Sequence, residues 1–283
     1  MTKTLNVTKV KTTKKEISLD EFKLRSALEG DYSTLHTKST VIVEDGIPKI
    51  IYLDLDELGF DATTIVKALK KIKYDTSERT GGLKTTSRIF GYAPRVTLRK
   101  DFCSSTSLAR EMPTEHDIVC DYAAKVSEIY KDIDPETYGK HKETANKVLK
   151  DWKIKESPFT SGIINKNNPL KYHFDSGNFK DVYSCMLGFK YNVKGGYLAC
   201  PQYDCAFEIK NNSVLIFDGQ NILHGVTPIQ YLSDDAYRYT IVYYSLRAMW
   251  SCLPINDEIL RIRKIKTERE TKRAERDAFK NVR

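Results

Sequence analysis

The chain has 283 residues, enough for one large domain or two small ones with a sizeable core. Hydrophobic residues make up 40% and charged residues 30%, which excludes a disordered composition. No apolar run approaches the roughly 20 residues that span a bilayer, and the basic start is followed by no apolar segment like that of a secretory signal. We therefore expect a soluble, intracellular protein without membrane association.

The net charge of +8 is concentrated at the two ends of the chain. Residues 1–15 carry five lysines and no acidic residue, and residues 256–283 carry ten basic and six acidic residues. The body between them is close to neutral. Such ends could act as arms that find phosphate backbones, or they could be solvated tails that aid solubility, and charge alone leaves both interpretations open.

Six cysteines lie at irregular spacings with no C-x-x-C pair, which disfavours a zinc ribbon or a thioredoxin-like redox site. Cys200 and Cys205 could form half of a metal site, but two ligands do not close a tetrahedral shell. We therefore predict buried free thiols, as expected in a reducing compartment.

The first half of the chain mixes strand and helix patterns. Residues 41–55 predict two β-strands around an Asp-Gly-Ile-Pro turn, and residues 61–73 predict a helix capped by its first residue, an aspartate. Residues 75–99, with Gly, Thr and Arg, predict a loop. Two more helices are predicted over about 113–130 and about 138–152.

Beyond Pro158 the pattern changes to short β-rich runs separated by Gly, Asn, Asp and Pro. About eight strand candidates follow one another: FTSGII, KYHFD, YSCMLGFKY, GGYLACP, AFEIK, SVLIFDG, HGVTPI and YRYTIVYYSL. This spacing is typical of a sandwich or barrel, and a jelly roll of two packed four-stranded sheets suits it. From Ile255 to the end, helical spacing without Gly or Pro predicts one long, mostly exposed helix.

The first residues that could carry chemistry are His173 and Asp175, which lie two apart on a predicted strand. Side chains at this spacing point to the same face, so the imidazole and the carboxylate emerge together. His224 follows at the end of a later strand and turn. Two histidines and one carboxylate are the ligand set of a facial triad, which binds non-haem Fe(II) and leaves positions open for cosubstrate and oxygen. For either histidine alone, a hydrogen-bonded or surface residue is the alternative.

Arg238, Thr240 and Tyr244 share one face of the last predicted strand by the same period of two. A guanidinium beside a hydroxyl offers a bidentate charge pair and a further donor to a dicarboxylate. Arg238 could instead lie on an exposed face beside a surface acid. Within a run of aromatic and β-branched residues, however, a cation is costly unless it has a buried anionic partner. We therefore predict an anion site.

The chain resembles the 2-oxoglutarate- and Fe(II)-dependent dioxygenases at these positions, and residues 165–246 are similar to their TET/JBP group of nucleobase hydroxylases. The shared motifs are H-x-D-x-x-N at His173, Asp175 and Asn178, a Gly-Gly turn at Gly195-Gly196, H-G-V-T-P at 224–228, and R-x-[ST] at Arg238 followed by an aromatic strand. Residues 88–113 are more loosely similar to the region upstream of the barrel in phage and protist members.

The resemblance implies a role for each matching residue around the metal. His173, Asp175 and His224 would be the iron ligands. Arg238 would hold the distal carboxylate of 2-oxoglutarate, with Thr240 at the family's assisting serine position. The cofactors implied are Fe(II), the cosubstrate 2-oxoglutarate and O2.

The resemblance also implies contacts to a DNA base. Asn178 matches an asparagine that hydrogen-bonds the flipped base, and Tyr244 matches an aromatic base contact. Leu246 departs from the pattern, because the cytosine oxidases of the group have a histidine there. This departure removes a polar contact to the base and keeps thymine beside 5-methylcytosine as a candidate substrate.

The implied reaction is hydroxylation of the C5-methyl of thymine or 5-methylcytosine in DNA, with release of succinate and CO2. A base in a duplex must be flipped out to reach such a site. The basic ends and an arginine-rich loop would contact the phosphates of duplex or single-stranded DNA, with solvated surface as the alternative. The loop arginines are Arg79, Arg88, Arg95 and Arg99.

Two other functions remain open from the sequence. The same chemistry could act on a protein side chain or a small molecule, or a jelly roll could bind nucleic acid without catalysis.

Three histidines without partners at ligand spacing are predicted at the surface or at caps: His36, His116 and His141. Residues 165–168 are predicted to form a turn rather than to read a base.

The resulting fold prediction is α+β, with a double-stranded β-helix (jelly-roll) core, N-terminal helices packed on it and a charged C-terminal helix. The expected divisions are a basic tail over 1–15, a supporting α/β region over 16–157, the oxygenase core over 158–254 and a basic helix over 255–283. Such an enzyme is expected in the nucleus of a eukaryote or, if encoded by a phage, in the host cytoplasm.

Overall fold

The structure is a computed structural model that describes residues 7–22, 25–79, 83–94 and 102–280. The strands of the first half are β1 (Thr8–Lys11), β2 (Thr34–His36), β3 (Thr40–Glu44), β4 (Ile47–Asp54), β5 (Asp75–Arg79), β6 (Leu83–Ala93) and β7 (Ser104–Ser105). Those of the second half are β8 (Ser161–Lys166), β9 (Ser184–Tyr191), β10 (Val193–Gly195), β11 (Leu198–Cys200), β12 (Cys205–Phe207), β13 (Ser213–Phe217), β14 (Gly225–Val226), β15 (Ile229–Tyr231) and β16 (Tyr237–Tyr244). The α-helices are α1 (Leu19–Phe22), α2 (Thr63–Lys71), α3 (Ser107–Glu111), α4 (Pro113–Ile133), α5 (Pro135–Ala145) and α6 (Ile255–Lys280).

Two sheets form the centre of the fold. The larger sheet has the strand order β1-β3-β4-β13-β9-β16-β8-β6-β5, with β7 paired to β6, and the smaller sheet has the order β14-β11-β12-β2. An apolar cluster joins them, with Tyr52, Met186 and Leu215 from the larger sheet and Leu198 and Phe207 from the smaller one. The larger sheet therefore exceeds the predicted four strands, because strands of the first half extend it on both sides.

The opposite face of the larger sheet is covered by helices. On α4, buried residues recur at intervals of three and four, as Val119, Ala123, Val126 and Tyr130 do, and they join the cluster beneath that sheet. The predicted helix over 113–130 is thus confirmed. The prediction for 138–152 is displaced, because α5 begins at Pro135, ends at Ala145 and is followed by a separate 3-10 turn.

The hairpin of β3 and β4 and helix α2 are both confirmed. Asp45 and Gly46 both have positive φ, 51° and 79°, which is the geometry of a tight two-residue hairpin turn. Asp61 accepts the backbone N–H of Thr63 through Oδ1 at 2.8 Å. This bond satisfies one of the donors left unpaired at the start of α2.

The predicted loop over 75–99 is wrong where the structure describes it. Residues 75–79 and 83–93 form the antiparallel pair β5 and β6, and β6 pairs in turn with β8. Hydrogen bonding to an open sheet edge overrides the loop signals of Gly and Arg. Arg88, predicted to meet phosphates, is buried and forms ion pairs with Asp75 (3.0 Å) and Glu111. The side chain of Arg79 and residues 80–82 and 95–101, with Arg95 and Arg99, lie outside the described residues.

The basic N-terminal segment is packed against the body rather than extended as an arm. Strand β1 pairs with β3 in parallel. Beyond it, the Lys14 ammonium donates to the Asn221 carbonyl at 3.0 Å, and Lys15 forms an ion pair with Asp204 at 2.8 Å. Residues 1–6 lie outside the described part of the chain.

The C-terminal prediction of one long exposed helix is confirmed by α6, but the start of this helix is anchored. The Glu258 carboxylate is buried and accepts the backbone N–H groups of Cys103 and Leu253 at 3.1 and 3.0 Å. Cys103 is joined by a disulfide to Cys252, just before the helix. The prediction of free thiols is therefore wrong for these two cysteines. It is confirmed for Cys120, Cys185, Cys200 and Cys205, which are buried and unpaired by disulfides.

Among the described residues, no helix is both long and apolar enough to cross a membrane.

The prediction that the three unpartnered histidines lie at the surface or at caps is wrong for His141, which is fully buried. Its Nε2–H donates to the Ser245 hydroxyl at 2.8 Å, because that hydroxyl uses its own hydrogen toward the Pro158 carbonyl. His116 is partly buried and accepts the Gly91 backbone N–H at 3.1 Å.

Candidate active site

His173 and His224 lie opposite each other on two neighbouring antiparallel segments of the chain. Their backbones exchange two hydrogen bonds, from His173 N–H to the His224 carbonyl at 3.0 Å and in return at 3.1 Å. The imidazole centroids are 4.3 Å apart. The residues KYHFD form only this isolated bridge and not the predicted strand. The bridge nevertheless brings together two histidines that are far apart along the chain.

Asp175 completes this group of side chains. Its backbone N–H donates to the Gly219 carbonyl at 2.8 Å, and one carboxylate oxygen lies 3.8 Å from Nε2 of His173. A β-carbon on Gly219 would lie 2.2 Å from the other oxygen, so the carboxylate occupies space that a side chain would fill. Among the described residues, these three form the group able to hold a metal ion, with their ligand atoms within 4.8 Å of one another.

Both imidazoles are oriented by backbone carbonyls. Nδ1 of His173 lies 2.7 Å from the Lys171 carbonyl, and Nδ1 of His224 lies 2.9 Å from the Ile222 carbonyl. A carbonyl accepts, so each Nδ1 carries the hydrogen and each Nε2 keeps its lone pair. Two imidazole nitrogens and one carboxylate fit the donor set that non-haem Fe(II) takes on one face.

A cavity of about 370 Å³ lies between the two sheets next to this group. His173, Asp175 and His224 line it, together with apolar side chains from both sheets such as Phe217 and Val226. The walls therefore combine apolar side chains with many polar ones that converge on one space, as in sites that bind polar small molecules.

Strand β16 contributes one whole face to the cavity. Arg238, Thr240 and Tyr244 line the cavity, whereas the alternate residues Tyr239 and Tyr243 are buried in the core beneath the helices. The alternation predicted from the sequence is thus present. It follows from antiparallel pairing of β16 with β8 on one side and β9 on the other.

Arg238 is a buried cation facing this cavity. It is 2% exposed, and its Nε and Nη2 have no hydrogen-bond partner among the described residues. Burial lowers the pKa of Arg238 to about 10. A guanidinium in this setting is costly without an anion, so the site fits a carboxylate supplied by a ligand, such as that of 2-oxoglutarate.

The Gly195-Gly196 turn packs directly against this arginine. A β-carbon on Gly196 would come within 2.8 Å of Nε and 2.9 Å of Cδ of Arg238, and one on Gly195 would come within 2.2 Å of the Pro228 carbonyl oxygen. Both glycines have positive φ. The motif noticed in the sequence therefore leaves room for the guanidinium.

The predicted base-contact residues lie at another part of the same cavity. Asn178 is 8% exposed, and its Nδ2 lies 3.3 Å from the Ser184 hydroxyl. Asn178 bridges to Leu246 through the backbone, and Tyr244 also lines the cavity. The structure thus brings the three residues together, with an apolar side chain at position 246.

Two residues that line the cavity, Asn165 and Asn168, are not predicted as site residues from the sequence. The prediction of a turn over 165–168 is wrong for the first two residues, which end β8, and the chain bends only at Asn167, whose φ is 57°. Asn165 and Asn168 are both buried and line the cavity. Asn165 is the direct cross-strand neighbour of Thr240. The period of two along β8 could have placed Asn165 on a sheet face, but only the pairing with β16 reveals which face.

Residues 91–247 match Tet_JBP, the oxygenase domain of the 2OGFeDO superfamily. The chain therefore belongs to the superfamily of 2-oxoglutarate- and Fe(II)-dependent oxygenases, whose cofactors are Fe(II), 2-oxoglutarate and O2. Within that superfamily, the chain is a member of the Tet_JBP family.

Several known proteins are similar to this chain. The thymine dioxygenase JBP1 of Trypanosoma brucei brucei is 27% identical over 194 residues, which cover 68% of this chain and 23% of that protein. The thymine dioxygenase JBP1 of Leishmania infantum is 27% identical over 218 residues, covering 73% and 26%. The chain thus spans about a quarter of the length of these relatives.

The structure of NgTET1 in complex with 5mC DNA has a similar fold. It superposes with a TM-score of 0.60 at 15% identity, covering 92% of this chain and 90% of that chain. The mixed α/β architecture with its large sheet is therefore that of the TET oxygenases.

Proposed function

We propose that this protein is an Fe(II)- and 2-oxoglutarate-dependent dioxygenase that hydroxylates the C5-methyl of a pyrimidine, thymine or 5-methylcytosine, in DNA. Succinate and CO2 would be the coproducts. The observation that carries the proposal is one cavity lined by both a facial ligand set and a buried guanidinium whose Nε and Nη2 have no hydrogen-bond partner among the described residues. The strands around this cavity would form the double-stranded β-helix core of the enzyme.

The ligand set would bind Fe(II) through the Nε2 atoms of His173 and His224 and the carboxylate of Asp175. When bound, the iron with O2 and 2-oxoglutarate would supply an oxidant able to attack a methyl C–H bond. Such a bond is too weakly acidic to be activated by a protein base. The backbone carbonyls of Lys171 and Ile222 hold both imidazoles in the tautomer required for binding.

Arg238 and Thr240 would hold the distal carboxylate of 2-oxoglutarate. The guanidinium gives the bidentate charge pair and the hydroxyl gives a further donor. Because Arg238 is buried and faces the cavity, the ion pair would form in a poorly hydrated site, where it is stronger than in water.

Asn178 and Tyr244 would contact the flipped base. The amide can hydrogen-bond the polar edge of a pyrimidine, and the phenol ring can stack on its face. Leu246 offers no polar atom where the cytosine oxidases of the group have a histidine. This departure, with the thymine dioxygenases among the relatives, supports thymine as the substrate.

Helix α6 would contact the DNA backbone. From Lys266 onward its basic residues recur at spacings of three and four, which places them on one face of the helix. This basic face comprises Lys266, Arg269, Lys272, Arg273 and Arg276, all of them exposed. The Glu258 carboxylate accepts the backbone N–H of Cys103, and the cluster containing Cys103 packs against Leu246, which lines the cavity. The start of α6 therefore lies beside the cavity. Because a helix rises about 1.5 Å per residue, the basic face begins roughly 12 Å along α6 from Glu258, and phosphates bound there would flank the nucleotide in the cavity rather than belong to it.

The test supplies purified protein with Fe(II), ascorbate and 2-oxoglutarate. Duplex and single-stranded oligonucleotides containing thymine or 5-methylcytosine are then analysed by nucleoside mass spectrometry. We expect a hydroxymethyl base whose formation requires 2-oxoglutarate. Succinate formation without any oxidised base would refute the DNA substrate and direct the search to proteins or small molecules.

A second measurement tests the ligand set itself. Asp175→Ala should lose both bound iron and product, whereas Asp234→Ala, the same change at an exposed site, should keep both. Iron at the wild-type level in Asp175→Ala would refute the assignment of the ligands.

A further inference from the structure

Two buried asparagines form a polar group beside the predicted carboxylate site. Asn165, on β8, is 4% exposed and faces Thr240 directly across the strand pair. Asn168, just after β8, is 3% exposed. Both line the cavity that also contains Arg238.

The amide of Asn168 can adopt only one orientation. Its Oδ1 accepts the Thr86 backbone N–H at 2.8 Å, and its Nδ2 donates to the Thr86 carbonyl at 3.0 Å. Rotating the amide by 180° would place donor against donor and acceptor against acceptor. The backbone of β6 therefore fixes Nδ2 of Asn168, whose second hydrogen is directed at Asn165.

This arrangement in turn fixes the amide of Asn165. Nδ2 of Asn168 donates to Oδ1 of Asn165 at 3.1 Å, so the oxygen of Asn165 is occupied. Its Nδ2 lies 3.5 Å from Oγ1 of Thr240, at the outer limit for a hydrogen bond. Asn165 thus presents its donor side, not its acceptor side, next to Thr240.

We propose that Asn165 is a third binding residue for a carboxylate of 2-oxoglutarate, and that Asn168 is the positioning residue that keeps the amide of Asn165 in its donor orientation. This inference rests on the proposed binding of 2-oxoglutarate and not on the DNA substrate. An NH₂ donor beside a hydroxyl and a guanidinium makes a site with donors only, which suits a carboxylate. The reversed amide would direct an oxygen at the anion.

The test measures binding of 2-oxoglutarate to the Mn(II)-loaded protein without oxygen, by titration calorimetry. Asn165→Ala removes the donor and should raise the dissociation constant about tenfold, the effect of losing one hydrogen bond to a charged group. Asn165→Asp should raise it further, because a carboxylate repels the ligand. Asn165→Ser retains a donor and should stay closer to the wild type than Asn165→Ala.

Asn168→Asp tests the positioning role. This variant cannot donate to Thr86 or to Asn165, so the Asn165 amide becomes free to turn, and 2-oxoglutarate binding should weaken severalfold. In turnover assays the KM for 2-oxoglutarate should rise while kcat at saturation changes less. Asn256→Asp, the same change at an exposed site, serves as the control. Melting temperatures verify that each variant is folded.

The outcomes separate this inference from the proposed function. No binding of 2-oxoglutarate to the wild-type protein would refute the cosubstrate itself. Wild-type binding with unchanged affinity in folded Asn165→Ala and Asn168→Asp would overturn the inference alone. Loss of Mn(II) binding in these variants would also overturn it, since the asparagines would then act on the metal site.

Discussion

Gly196 lies so close to Arg238 that a β-carbon on the glycine would come within 2.8 Å of the guanidinium Nε. Gly196→Ala should therefore displace the guanidinium and weaken 2-oxoglutarate binding about tenfold, as expected for loss of one charged hydrogen bond. Because Gly196 has a φ of 67°, the variant should also lose about 1 kcal/mol of stability. Calorimetric titration with the cosubstrate measures the first effect and thermal unfolding the second.

The matched control for this variant is Gly139→Ala. Gly139 lies in α5, and no neighbouring atom of the described residues lies within 4 Å of its β-carbon position. Alanine is more favourable than glycine in a helix interior, so this variant should be at least as stable as the wild type. Equal 2-oxoglutarate affinity in Gly196→Ala and Gly139→Ala would show that the turn does not shape the arginine site.

Asn178→Ala should separate base oxidation from cosubstrate turnover. Asn178 lies beside Ser184 and Leu246, whereas Arg238 and Thr240, the residues proposed to bind the carboxylate of 2-oxoglutarate, lie on β16. Losing the amide should lower hydroxymethyl product by roughly tenfold, the effect of one base-edge hydrogen bond. Decay of 2-oxoglutarate in the absence of DNA should stay near the wild-type rate. Both quantities come from one reaction, by nucleoside mass spectrometry and succinate assay, and an equal fall in both would contradict the role as a base contact.

The sequence predicts those parts of the site that depend on local spacing. Alternation along β16 identifies Arg238, Thr240 and Tyr244 as one face, and the spacing of His173 and Asp175 predicts that their side chains emerge together. The alternation along β16 arises because strand geometry repeats every two residues. His173 and Asp175 lie instead on a segment that forms only an isolated bridge, so their position depends on backbone bonds to His224 and Gly219. The same kind of local pattern predicts helix α4, whose apolar residues recur at the helical period.

Long-range pairing is what the sequence does not reveal. Strand β6 pairs with the neighbouring β5 and also with β8, and the second pairing, between segments far apart along the chain, sets the register that joins Asn168 to Thr86. The disulfide joins two cysteines that are 149 residues apart, and the sequence does not reveal this pairing either. Contacts of this kind depend on the whole topology and leave no periodic pattern in either partner.

His141 should make the stability of the protein depend on pH. Burial lowers the pKa of His141 to about 3, and in the unfolded chain the value is about 6.5. Between these values the unfolded state binds a proton that the folded state does not, so stability is full above about pH 6.5 and falls as the pH is lowered. The slope from this residue approaches 1.4 kcal/mol per pH unit.

Denaturant unfolding of wild type and His141→Gln between pH 7.5 and 4.5 measures this effect. Glutamine can still donate to the Ser245 hydroxyl but does not titrate in this range. As the pH is lowered, the free energy of unfolding of His141→Gln should therefore rise relative to that of the wild type. A difference that stays constant across the range would exclude His141 as the source.

Reduction of the Cys103–Cys252 disulfide should destabilise the protein. The bond closes a long loop and ties the start of α6 to the segment before β7, so its loss should cost about 2–4 kcal/mol. Unfolding in the presence and absence of a thiol reductant measures the difference. The double variant Cys103→Ala/Cys252→Ala should be insensitive to the reductant. If it responds as strongly as the wild type, the effect comes from elsewhere in the chain.

The basic face of α6 should determine how DNA affinity depends on salt. Each phosphate contact adds about 0.9 to the slope of log K against log salt concentration for duplex DNA. Arg273→Glu/Arg276→Glu removes two such contacts and adds repulsion, so the slope should fall by about two and affinity at low salt should drop steeply. Fluorescence anisotropy over a series of salt concentrations measures both quantities.

The control adds the same negative charge on the opposite side of the same helix. Lys264→Glu/Thr267→Glu/Thr271→Glu changes the net charge by the same amount, but helical spacing places these exposed residues opposite the basic face. If the long-range field of the protein alone attracts DNA, the two variants will weaken binding alike. If phosphates lie along the basic face, only Arg273→Glu/Arg276→Glu will lower the salt slope, because counterion release reports contacts rather than net charge.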